Sequence, residues 1–105
     1  MLTKFNHVAI VVSDLKEASN KYKNVLGAKV SKPFDYPEHG VSVVFVELTN
    51  TKIELMYPFG KESPIKKFLE NNPNGAIHHI CLEVKDLIST CKKLKKKKYS
   101  NHWGW

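Results

Sequence analysis

Arginine is absent from this chain: all 17 of its basic residues are lysines. The planar guanidinium fork that reads guanine edges and clamps phosphates is therefore missing. Nucleic acid is not expected as a partner, despite a formal net charge of +7. The excess is also local. Residues 1 to 84 carry ten lysines against nine acids, whereas residues 85 to 105 carry seven lysines against Asp86 alone. The run Lys95 to Lys98 reads as a solvated helix end, where positive charge suits the carboxyl-terminal dipole. Cysteine is scarce, with only Cys81 and Cys91 ten positions apart. In a chain without a secretion signal such a pair is expected to stay reduced. Long apolar runs are missing too: nothing approaches the roughly 18 to 20 residues of a membrane span, so no membrane partner is expected. Met1 to Asn6 leads straight into a strand and leaves no room for a signal or transit peptide, which predicts an intracellular chain. At 105 residues, 42% of them hydrophobic, one domain is expected, with a core small enough that every strand counts.

What the chain does have is a repeat. The nine residues from His7 to Leu15, HVAIVVSDL, recur as HICLEVKDL from His79 to Leu87, and in both copies the histidine stands seven positions before an aspartate. A repeat fixes architecture before any local assignment is made. Phe5 to Val12 reads as a strand covered on both faces. Asp14 is its following helix's N-cap, with Glu17 three residues on as the return partner of a capping box. Leu15, Ala18, Tyr22, Val25 and Leu26 form that helix's apolar stripe, and Gly27 closes it. Lys29 to Tyr36 predicts a weak edge strand interrupted by Pro33, Pro37 to Gly40 a turn, and Val41 to Leu48 with Lys52 to Tyr57 a hairpin. A βαβββ module thus fills residues 5–57. Residues 58–76 form a linker whose short helix starts at Ser63 as N-cap and Pro64 as first helical residue. Residues 77–98 open a second module with one strand and one helix. Tyr99 to Trp105 shows no strand alternation and reads as an aberrant tail, so three strands expected of the second copy have no counterpart.

Strand alternation sorts the candidate residues by face. His7, Ala9 and Val11 share one face of the first strand, and Lys52, Glu54 and Met56 one face of the hairpin's return strand. Ile77, His79, Cys81 and Glu83 share one face of the later strand, with His78 opposite them as a structural residue. If the two copies pair as pseudo-twofold mates, His7 and His79 face the same cavity, and Glu54 can join them from a neighbouring strand. Two imidazoles and a carboxylate suit a divalent transition metal with open positions. For a single histidine a hydrogen-bonded structural role competes, and for Glu54 a pairing with Lys52 does. Equivalent histidines in both copies are what a shared metal on the pseudo-twofold axis requires. His39, in the turn, is expected to be solvated.

The segments NHVAI at 6–10, LGA at 26–28, PEHGV at 37–41, NTKIEL at 50–55, SPI at 63–65 and HHIC at 78–81 together resemble the methylmalonyl-CoA epimerase family. That family belongs to the glyoxalase-like vicinal oxygen chelate superfamily of metalloenzymes, and the resemblance covers residues 4 to 98. It implies an α+β fold of paired βαβββ modules, the second incomplete here, and an isomerase interconverting the (R) and (S) forms of methylmalonyl-CoA. It also implies a divalent metal on His7, Glu54 and His79, with Co²⁺ expected first and Mn²⁺, Ni²⁺ or Zn²⁺ as alternatives. A homodimer is implied as well, in the cytoplasm or, for a processed eukaryotic protein, the mitochondrial matrix. The family's fourth ligand, a glutamate on the last strand of the second module, has no counterpart, and some bacterial members carry an acid where this chain has Val43. No catalytic base is therefore assigned. The departure after the lysine tract is what truncation or a reading-frame slip there would produce, and the missing strands should then be found in a shifted frame of the gene. Two other readings stay open: a glyoxalase I-like lactoylglutathione lyase, disfavoured by Ser63-Pro64-Ile65 and His78-His79, and an inactive remnant or binding module that pairs through an open sheet edge.

Overall fold

The computed structural model describes residues 2–96, so the expected tail at 99–105, His102 included, lies outside the described residues. Strand β1 (Leu2–Val11) is followed by helix α1 (Leu15–Asn20), which continues into a π-helical turn at Lys21–Val25. Then come β2 (Lys29–Val30), β3 (Phe34–Tyr36), β4 (Val41–Glu47), β5 (Lys52–Pro58), α2 (Lys66–Asn71), β6 (Ala76–Val84) and α3 (Leu87–Lys96). The strands form one sheet in the order β2-β4-β5-β1-β6, with β3 also on β4. Among the described strands only β1 and β5 run parallel, as the return strand of a βαβββ module must. The expected weak strand exists as the two pieces β2 and β3. Pro33 has no N–H for the ladder, and Ser31 spans the gap with its backbone and hydroxyl on Phe45.

The sheet separates two cores. On one face α1 and the π turn lay Leu15, Ala18 and Tyr22 over Val44, Val46 and Leu55. On the other, Ala9, Val11, Val41, Val43 and Met56 pack with Ile65 beneath Phe68 and Leu69 of α2. Asp14 caps α1 as expected, accepting the Glu17 N–H at 3.0 Å, while the Glu17 carboxylate lies 3.3 Å from Lys21. Asp86, its image in the repeat, accepts the Ser89 N–H at the same distance.

Two local expectations fail for stated reasons. The π turn takes an extra residue per turn, with the Leu26 N–H donating to the Lys21 carbonyl, so the stripe loses phase and Val25 and Leu26 face solvent, 75% and 69% exposed. Ser63 is not the cap of α2, which starts at Lys66 behind Ile65. It is buried instead and donates its hydroxyl to the Gly40 carbonyl at 2.5 Å, tying the linker to the turn before β4. Gly40 itself has φ +68°, and a Cβ there would stand 2.8 Å from the Pro64 ring.

Candidate metal centre

The repeat meets itself across β1 and β6. In this antiparallel pair His7 faces Cys81, Ala9 faces His79, and Val8 faces Ile80. The image of His7 in the repeat is His79, and that of Ala9 is Cys81. The first two pairs are therefore each other's images, and Val8 faces its own image. The pseudo-twofold axis passes through the Val8–Ile80 pair, and the two histidines stand on either side of it.

The register shifts at three places, at Leu2/Lys4, Phe5/His7 and Ala9/Ile10, and the last two are images of each other. Between Phe5–Leu82 and His7–Cys81, β1 carries an extra residue, Asn6. Between Ala9–His79 and Ile10–Ile77, β6 carries His78 as its extra residue. A bulge of this kind resets the alternation of side chains. Ile77 consequently shares a face with Ile10 rather than with His79. His78, expected on the opposite face, turns into the cavity, where its ring stands edge-on to Phe68 at 4.9 Å between centroids. Strict period-two counting through 77–83 gave both wrong placements.

His7, Glu54 and His79 do come together: one possible ligand atom from each lies within 4.8 Å of the others. Ala9 is paired with Glu54 on β5 and with His79 on β6, so its fully buried methyl forms the floor over which the two longer side chains lean. His7 Nε2 is 3.7 Å from Glu54 Oε1, and it is buried with no hydrogen-bond partner. An unpaired buried nitrogen costs about 1–3 kcal/mol. Donors sharing one ion at the usual ligand lengths stand about 3 to 4 Å apart. The orphaned nitrogen, the adjoining carboxylate and the second imidazole thus fit a divalent metal. Lys52, the competing partner considered for Glu54, places its Nζ 5.8 Å from the centroid of the Phe45 ring instead.

Each candidate ligand histidine is held by the bulged residue before it. Asn6 Oδ1 lies 2.7 Å from His7 Nδ1, and the Asn6 amide donates to Glu83 Oε2 at 2.9 Å. His78 Nδ1 lies 2.8 Å from His79 Nδ1. Partial burial, and then His79 beside it, hold the His78 pKa below the ordinary imidazole value, with Glu54 pulling the other way. Asn6 and His78 are the site residues that alternation alone missed. The signal for them was in the sequence: both stand immediately before a repeated histidine.

Glu54 and His78 line a cavity of about 490 Å³, walled also by Val41, Val43, Phe45, Met56 and Ile65. Tyr36 and His39 line it as well, His39 being exposed in the turn as expected. Among the described lining residues Glu54 is the sole carboxylate. Glu47 pairs with Lys29 at 3.6 Å and Glu38 is exposed in the turn, so neither supplies a second acid to this cavity. Cys81 and Cys91 are free thiols.

Residues 6–105 match the family model described as the glyoxalase/bleomycin resistance protein/dioxygenase superfamily. An ethylmalonyl-CoA/methylmalonyl-CoA epimerase of Cereibacter sphaeroides is 55% identical over 95 residues, covering 90% of this chain and 71% of the relative. The mitochondrial methylmalonyl-CoA epimerase of Homo sapiens is 56% identical over 97 residues, covering 92% of this chain and 55% of the relative. The chain thus spans about half the length of several curated relatives that it matches. Among solved structures, methylmalonyl-CoA epimerase from Mycobacterium tuberculosis superposes with a TM-score of 0.82 at 27% identity, covering 92% of this chain and 65% of that one. Lactoylglutathione lyases match at lower identity. The chain belongs to the glyoxalase/bleomycin resistance protein/dioxygenase superfamily and, within it, to the methylmalonyl-CoA epimerase family.

Proposed function

We propose that this chain carries the metal centre and substrate cavity of a methylmalonyl-CoA epimerase, an isomerase that moves the α-proton of a methylmalonyl thioester between its two faces. The observation carrying this reading is the meeting of His7, Glu54 and His79 beside an apolar cavity in a chain of that family. His7 and His79 hold a divalent ion from the two repeats, and Glu54 completes the trio and offsets its charge. When bound, the ion supplies Lewis acidity to the carbonyl beside the acidic carbon. Val43, Met56 and Phe45 exclude water around that carbon, where fixed dipoles act more strongly than in bulk solvent.

Proton transfer needs a group within hydrogen-bond reach of the acidic carbon on each face. The sole carboxylate in the described lining belongs to the metal trio. Exchange of the methylmalonyl-CoA α-proton with solvent deuterium, followed with Co²⁺ and after chelation, tests the proposal. Metal-dependent exchange is expected, and its loss on chelation. Exchange that persists after chelation, or conversion of the methylglyoxal–glutathione hemithioacetal in preference, would overturn it.

A homodimer is part of this reading, supported by the apolar side chains that β6 and α3 leave exposed, Ile80, Leu87 and Ile88 among them. Among the described residues no helix is long and apolar enough to cross a membrane. We place the protein in the cytoplasm, or in the mitochondrial matrix of a eukaryote.

A further inference from the structure

We propose that Asn6 and His78 are matched positioning residues, one from each repeat, which grip His7 and His79 by Nδ1 so that both present Nε2 to the metal. The inference rests on the metal-centre reading above and deepens it. Three observations on the two halves coincide. Both residues are the extra residue of a bulge in the β1–β6 seam. Each immediately precedes a candidate ligand histidine, and each places a polar atom within 2.8 Å of that histidine's Nδ1.

The first half fixes a tautomer outright. The Asn6 amide group faces the Glu83 carboxylate and donates to Oε2 at 2.9 Å. Asn6 Oδ1 is thereby turned toward His7 and accepts from Nδ1–H, leaving a lone pair on Nε2, the buried nitrogen without a partner. The Thr51 hydroxyl donates to the Asn6 carbonyl at 3.0 Å and pins the bulge itself. In the second half Phe68 pins the His78 ring from its edge, and His78 Nδ1 plays the part of Asn6 Oδ1, accepting from His79. Orientation by a second hydrogen bond is what a ligating imidazole needs, because the partner sets which nitrogen is free. Without the bulge, alternation would send the residue before each histidine to the opposite face, out of reach. The extra residue places ligand and holder side by side, and duplication made the device twice with different side chains.

Two measurements test this on the full chain. Long-range ¹H–¹⁵N correlation spectra of the metal-free protein should show both His7 and His79 as Nδ1–H tautomers; an Nε2–H tautomer at either ring overturns the inference without any variant. Co²⁺ titrations followed in the visible spectrum then read affinity. His78→Phe keeps the ring's bulk but removes its acceptor and should weaken binding about 10- to 100-fold, the usual cost of losing such a partner. His78→Asn, which copies the first repeat's holder, should return the wild-type affinity and spectrum. Wild-type affinity in His78→Phe, or an His78→Asn variant as weak as His78→Phe, would overturn the inference. If the wild-type chain takes up no Co²⁺, the metal-centre reading fails, and the tautomer spectra still decide whether the two grips exist.

Discussion

Ala9 contributes no donor to the site, yet the site depends on its being small. Its buried methyl sits between Glu54 and His79 in the sheet, and extra methylenes there would fill the space in which the two side chains converge. Overpacking a buried position costs about 1–3 kcal/mol. Ala9→Leu should therefore lower thermal stability and abolish Co²⁺ binding together, while Ala18→Leu under the helix leaves Co²⁺ binding intact; calorimetry and titration would show both. His78 gives the residue scale a pH dependence. Its pKa is lowered in the folded chain, so the unfolded state takes up its proton first as pH falls. Stability from this group is present above the ordinary imidazole pKa and is lost as pH falls through the lowered folded value. Acid denaturation of metal-free His78→Asn should begin at lower pH than that of the wild type. Identical profiles would mean that His78 titrates alike in both states.

Among the elements, the βαβββ module was legible because its signals are local: Asp14 before the helix, Pro33 in the weak strand, and the short link of the hairpin. The convergence of His7, Glu54 and His79 was legible because repeat and face arithmetic agreed. What stayed hidden were insertions in regular elements, the bulges at Asn6 and His78 and the π turn at Lys21–Val25. A strand's period of two carries no mark of where it skips, since the bulge is decided by the partner strand. The π turn makes a direct prediction. Val25→Ser and Leu26→Ser should change stability by less than about 0.5 kcal/mol, as exposed positions do. Leu55→Ala, fully buried beneath α1, should cost about 2–5 kcal/mol. Denaturant unfolding of the three variants separates a stripe that ends at Tyr22 from one that continues through the turn.

At the scale of the whole molecule, the two halves of the candidate metal site are carried by opposite ends of the described chain and joined by a single seam. Gly75 enters that seam with φ +85°, and a Cβ there would stand 2.6 Å from the Val11 carbonyl oxygen. Gly75→Ala should therefore loosen β6 from β1 and reduce metal affinity, although residue 75 touches no ligand. Metal should in turn raise the melting temperature. At a hundredfold excess over the dissociation constant the stabilisation is about 2.7 kcal/mol, lost on chelation. Ile80 and Leu82 on the outer strand are exposed; if the proposed homodimer forms through this strand, Ile80→Thr with Leu82→Thr should shift sedimentation toward the monomer.

The distance in sequence between the two histidines also has a kinetic meaning. The β4–β5 hairpin closes a loop of four residues, whereas the β1–β6 seam joins segments about seventy residues apart. The ratio of those lengths adds about 2.5 kcal/mol of closure entropy to the seam. Strand β6 is therefore expected to dock late, onto a first module already formed, and the metal donors exist as a set only after the rate-limiting step. A ligand that recognises only what forms after the barrier leaves the climb unchanged and deepens the well behind it. Co²⁺ should slow unfolding in proportion to its occupancy while leaving the refolding rate where it was. The metal would then act as a latch on the finished fold, with no part in nucleating it.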